Sequence, residues 1–157
     1  MRVRIAELRD IPAVAVMFHK LLDLIKKYGQ WVLSDNHSQV ENGIIGFVLA
    51  KMSMDESIVL VTVDETDWPN GFLVGWVLNY PSFYQHMRVG EIQFMYPASF
   101  EKSPYLLREF TKWRKGLGAT AETNYATPGH KASIKFMERD GRRLAYYHFL
   151  KPDEVKP

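Results

Sequence analysis

Residues 95–110, MYPASFEKSPYLLREF, run from the end of an apolar strand into an amphipathic helix. A strand that feeds a helix through a short loop can hold a phosphate at the helix N-terminus, where free N–H groups and the dipole meet. Loops of that kind usually carry glycine, and this one has none. Working outward, HMRVGEIQFMY (86–96) reads as a long strand. Leu106, Leu107, Phe110, Trp113 and Leu117 fall on one helical face, and Gly116 or Gly118 ends that helix. GATAETNY (118–125) reads as a strand, HKASIKFMERDG (130–141) as a helix and RRLAYYHFL (142–150) as a last strand.

The N-terminal side is equally patterned. Arg2-Val3-Arg4-Ile5 alternates as a first strand. Asp10 is expected to cap a helix that has Pro12 in its first turn and apolar residues at helical spacing up to Gly29. A second helix is expected from SDNHSQVE, with Ser38 and Glu41 at capping-box spacing and Val40, Ile44, Phe47, Val48 and Lys51 along one side. Gly43 and Gly46 weaken it by about 1 kcal/mol each relative to alanine, unless they allow close packing. SIVLVTVD (57–64) and GFLVGWVLNY (71–80) read as hairpin arms joined by DWPNG (67–71). The order β-α-α-β-β-β-α-β-α-β predicts one α+β domain over residues 1–157. Its sheet is mixed and mostly antiparallel, with helices on both faces.

Composition excludes several chemistries. The 157 residues include no cysteine, so disulfides, thiolate metal sites and a cysteine nucleophile are ruled out. MRVRIAELRDIP lacks the apolar region of a signal peptide and no run is long enough to cross a bilayer, so a soluble, cytoplasmic protein is expected. The five histidines show no metal-ligand spacing, and no metal site is expected. Net charge is +2 but uneven: residues 1–100 hold eight Lys/Arg against eleven Asp/Glu, residues 101–157 twelve against seven. That excess reads either as solvated helix faces or as an anion site. Lys112-Trp113-Arg114-Lys115 is the best nucleic-acid candidate, but Trp113 belongs to the apolar face, so nucleic acid is not expected.

The element order resembles that of the GCN5-related N-acetyltransferase (GNAT) superfamily, and three segments sharpen the resemblance. RIAELRDIPAV resembles its first strand and acid-capped helix; Phe94-Met95-Tyr96-Pro97 resembles the end of its fourth strand. His130 to Gly141, with Ser133, Phe136, Glu138 and Arg139, resembles its late helix. The resemblance implies acetyl-coenzyme A lying between splayed strands four and five. Met95 and Tyr96 would bond the pantetheine arm through their main chain. Lys102, Ser103 and Asn124 complete the implied cofactor contacts.

It implies amine acetylation by direct attack. Glu91 is the first candidate base, its pKa raised by desolvation if it faces inward, and His86 the second. The Met95 amide would be the oxyanion donor. The alternative for Glu91 is a surface carboxylate paired with Arg88 or with a cross-strand neighbour. The chain departs from the family pattern at Phe100, Ser103 and Tyr105, where an Arg or Gln and two small residues are usual, and Pro104 has no N–H. Ser103 as N-cap and Pro104 at the first helical position would also explain that stretch without a ligand. Met137 replaces the usual acid tyrosine, so Tyr125 or Tyr84 would stand in. The acceptor, a small molecule or a protein amine, carries no recognisable code, and an exposed C-terminal edge strand would invite a homodimer. The competing reading is a non-catalytic assembly module on the same scaffold, presenting Phe83, Tyr84 and Phe100 to a protein partner.

Overall fold

The computed structural model describes residues 2–27, 34, 36–82, 88–99, 103–124 and 131–139. The predicted last strand and the whole 142–150 segment lie outside them, as do His86, Tyr125, Lys102, Phe83, Tyr84 and Phe100. Among the described residues five strands run in the spatial order β1-β2-β3-β4-β5. They are β1 (Arg2–Ile5), β2 (Ser57–Val63), β3 (Pro69–Asn79), β4 (Arg88–Tyr96) and β5 (Ala121–Asn124). The first four pair antiparallel and β4 pairs β5 in parallel, which gives the mixed α+β sheet expected. Helices are α1 (Ile11–Lys27), α2 (His37–Ser53), α3 (Ser103–Gly116) and α4 (Lys131–Arg139). No helix among the described residues is long and apolar enough to cross a membrane.

Two cores sandwich the sheet, one on each face. Under α1 and α2, Val14, Phe18, Ile44 and Val48 meet Val59, Val61, Phe72 and Val74. The Phe18 ring lies 5.2 Å from Phe72 and 4.7 Å from Phe94. Under α3, Leu106, Leu107 and Phe110 meet Ile58, Leu60, Leu73 and Ile92. Alternation along each strand deals successive residues to opposite cores, so β2 and β3 are apolar on both faces.

Three local expectations are corrected. Asp10 does not cap α1. It closes a 3₁₀ turn at Leu8–Asp10, where its carboxylate accepts from the Glu7 N–H at 2.7 Å and from Arg4 at 2.6 and 3.0 Å. The α2 cap is Asn36, whose side chain accepts from the Gln39 N–H at 3.1 Å; Ser38 is already helical. Gly43 and Gly46 are exposed, and a Cβ at either would meet nothing within 4 Å, so no close packing explains them. Gly43→Ala and Gly46→Ala are each expected to stabilise the fold by about 1 kcal/mol, read as a higher urea midpoint at unchanged slope.

Asp67 ties the N-terminus to the β2–β3 turn. It sits at φ 64, a left-handed conformation that aspartate tolerates better than most residues. Its carboxylate meets Arg2 at 2.5 Å, Arg4 at 3.2 Å and Arg9 at 2.6 Å. The Arg4 hydrogen bonds hold both Asp67 and the buried Asp10 below the usual carboxylate range, with Arg2 also lowering Asp67 and the Glu7 N–H lowering Asp10. Carboxyls lowered on folding stabilise the fold above their unfolded pKa, and that contribution is lost as pH falls through the folded value. Stability should therefore be flat from neutrality to about pH 5 and fall below about pH 4. Asp67→Asn keeps the turn geometry and should make that acid limb shallower, measured as urea midpoints by circular dichroism at pH 7 and pH 3.

Candidate active site

The strand β4 carries the candidate site because its two edges are satisfied unequally. On one edge β3 pairs with it along its length, from Asn79↔Arg88 to Phe72↔Tyr96. On the other, β5 pairs only from Val89↔Ala121 to Ile92↔Asn124. β4 continues through Gln93, Phe94, Met95 and Tyr96 with no β5 partner among the described residues. The register shifts here: Val74 faces Phe94 and Gly75 faces Ile92, leaving Gln93 as an extra residue, a β-bulge. A bulge bends its strand, and the bend falls where the described β5 pairing stops, so a wedge between β4 and β5 is the candidate opening. Among the described residues, main-chain groups along this edge have no strand partner and could bond an extended ligand as an added strand would.

Side chains around the wedge are spoken for. Met95 packs into the α3 core, and Tyr96 stacks 6.4 Å from Phe72 beneath α1 and α2. Both therefore offer backbone rather than side chain. Asn124 ends the β5 pairing opposite Ile92, at the mouth of the opening.

At the foot of the wedge α3 begins with Ser103. This corrects the capping expectation: Ser103 is the first helical residue, Pro104 the second, and the Ser103 Oγ accepts no capping hydrogen bond. Ser103 is 1% exposed, and its hydroxyl has no partner among the described residues. An unpaired buried hydroxyl costs about 1–3 kcal/mol, so its retention at a positive helix end fits an anion ligand. The first-turn N–H groups of Ser103, Tyr105 and Leu106 would serve it beside the hydroxyl, Pro104 supplying none. Tyr105 does not block the approach. Its ring is 43% exposed, and the Arg108 guanidinium stands 5.4 Å from its centroid on the outer surface of α3.

Glu91 lies on the α1/α2 face, opposite Trp76 of β3. It is 5% exposed, which overturns the surface-carboxylate alternative; Arg88 instead pairs with Glu56. Trp76 Nε1 and the Gln93 side-chain oxygen are buried and unpaired among the described residues, Trp76 facing Glu91 across the strand pair and Gln93 two residues along β4. Trp76 and Gln93 escaped the sequence reading, since a tryptophan and a glutamine inside strands look like ordinary sheet residues; Lys51 was placed on the packed side of its helix but given no role.

The basic C-terminal excess is only partly an anion surface. Arg114 turns inward, its Nε 2.7 Å from Glu122 and its Nη1 2.9 Å from the Ala119 carbonyl, both carboxylate and guanidinium being buried. It braces β5 against α3 and covers Gly90. Trp113 packs beside Phe110 at 5.6 Å, so the nucleic-acid reading of this run loses its aromatic platform. Arg108, Lys112 and Lys115 remain outside, along a shallow groove of about 460 Å³ on α3.

No protein-family profile matches the chain, and no curated protein sequence does. Solved structures do. The BH1408 protein of Bacillus halodurans, as a tetramutant, superposes with a TM-score of 0.81 at 17% identity, over 97% of this chain and 99% of that one. Aminoglycoside antibiotic 6'-N-acetyltransferase AAC(6')-Ig of Acinetobacter haemolyticus gives 0.73 at 12% identity over 99% and 100%. Aminoglycoside N-acetyltransferase AAC(6')-Iy, in complex with CoA, gives 0.75 at 10% over 98% and 95%. The fold is that of the GNAT acetyltransferases, as the element order implied.

Proposed function

We propose that this chain is a divergent N-acetyltransferase that moves an acetyl group from acetyl-coenzyme A to a primary amine. The observation that carries the reading is the outer edge of β4 from Gln93 to Tyr96, unpaired among the described residues, followed by a helix N-terminus whose buried serine hydroxyl has no partner among them. A structure of the same fold holds CoA, which supports the assignment of that wedge. Acetyl-coenzyme A supplies a thioester whose C–S bond breaks as the C–N bond to the amine forms, with the thiol leaving.

The chain's own residues divide the remaining work. The Met95 and Tyr96 main chain orients the pantetheine arm, and the α3 end with Ser103, together with Lys102, receives the phosphates. Asn124 holds the far wall. The Met95 N–H donates to the oxygen on which charge develops. Glu91 takes the proton that the acceptor ammonium must lose, from a buried position that excludes competing water. His86 is the second candidate for that proton, and Tyr125 the candidate donor to the leaving thiolate. Purified protein incubated with acetyl-coenzyme A and a panel of amines should release free thiol only when an acceptor is present. Absence of amine-dependent thiol release across small-molecule and peptide amines would overturn the activity.

A further inference from the structure

Lys51 stands in the last turn of α2, on the side that Ile44 and Val48 turn toward the sheet. Its ammonium lies 3.9 Å from the centre of the Trp76 ring and 5.7 Å from that of Phe47. Its other polar contact is the Met54 sulfur at 3.9 Å. Among the described residues no carboxylate comes within ion-pair reach of it. The Trp76 Nε1–H is shielded from water and has no acceptor among the described residues. Two donors, one of them charged, thus stand together with no anion bonded to either among the described residues. The tryptophan N–H is the costly one, because a desolvated donor left unpaired costs as much as a hydrogen bond contributes, whereas Lys51 is half-buried and keeps contact with solvent.

What adjoins this pair decides the ligand. Trp76 is the direct cross-strand partner of Glu91. Such partners share a face with Cβ atoms about 4.5–5.5 Å apart. A donor pair that wants an anion therefore sits within one side chain of a carboxylate proposed to receive an amine. We infer that the acceptor is a small α-amino acid, its carboxylate taken by Lys51 and Trp76 Nε1–H and its amine presented to Glu91. The inference rests on the role proposed for Glu91 and adds the class of the acceptor. It also separates this chain from the aminoglycoside-directed enzymes that share its fold, because an ammonium over Trp76 repels a polycation.

The test is calorimetric titration of the purified protein, without coenzyme, by the proteinogenic L-amino acids and by their methyl esters, at millimolar concentration. At least one acid should bind, and its ester should bind about tenfold more weakly, as expected for loss of a charge-assisted hydrogen bond. Lys51→Met should erase the preference for acid over ester. Trp76→Phe keeps a ring under the ammonium, removes only the N–H and should weaken the acid about tenfold. Should Trp76→Phe fail to fold, Lys51→Met alone decides. The inference is overturned if no acid binds, if acid and ester bind equally, or if Lys51→Met leaves the preference intact. Coenzyme binding without amino-acid binding would sink this inference alone, and amino-acid binding without coenzyme binding would sink the transferase reading alone.

Discussion

Gly75→Ala is expected to destabilise the protein by roughly 3 kcal/mol or more, the upper end of overpacking effects in a close-packed core. A Cβ at Gly75 would stand 2.4 Å from the Phe110 ring and 2.8 Å from the Glu91 carbonyl oxygen. Neither neighbour can withdraw. Phe110 is fully buried between α3 and the sheet, and the Glu91 carbonyl belongs to the β4 backbone. The glycine is therefore needed where the helix that carries Ser103 presses on the strand facing the bulge. The urea midpoint of the variant should fall sharply. Adding Phe110→Leu should restore part of the loss in a double-mutant cycle, because it relieves the contact that the alanine creates. An unchanged midpoint would mean that α3 does not seat on Gly75.

Glu91→Gln is the second large effect. The two side chains are nearly isosteric, so folding and coenzyme affinity should survive while proton removal does not. Under the proposed function, kcat should fall by about 10²–10⁴, the usual contribution of a positioned general base. The basic side of the pH–rate profile should lift the residual rate, as raising pH deprotonates the amine without help. A merely structural Glu91 would instead lower stability and kcat together with no such change in pH dependence. The measurement is steady-state thiol release against pH for both proteins, alongside their urea midpoints.

Much of the architecture was legible because it is written in periodicity. β2, β3 and β4 are long β-branched or aromatic runs, and α1 and α3 carry apolar stripes at helical spacing. The turn between β4 and α3 was legible for the same reason: alternation stops at Tyr96 and helical spacing begins after Ser103. Capping was less so. Asn36 and Ser38 are both good N-caps, and only the backbone conformation at Asn36 decides between them. Asp10 looked like a helix cap because nothing local reveals that Arg4, on the neighbouring strand, claims its carboxylate.

The site was legible in outline and not in detail. Glu91 could be singled out as a carboxylate within an apolar strand, yet its depth depends on α1 and α2 lying over that face. The bulge at Gln93 leaves no mark in composition, since one inserted residue changes neither propensity nor hydropathy. Lys51 and Trp76 are joined across a helix–sheet contact, which no local window spans. Ser103 was visible as a helix starter, while its lack of a partner is a fact of three-dimensional packing. His86, Tyr125 and Lys102 keep the standing that the resemblance gave them, as candidates outside the described residues.

Hydrogen exchange at the Met95 and Tyr96 amides, with and without millimolar coenzyme A, tests the central claim most directly. If the unpaired side of β4 is the coenzyme cleft, bound coenzyme should slow exchange at the outward-facing amide of this pair and leave α2 amides unchanged. Exchange that does not respond to saturating coenzyme would contradict the account, and the fold would then serve something other than acyl transfer.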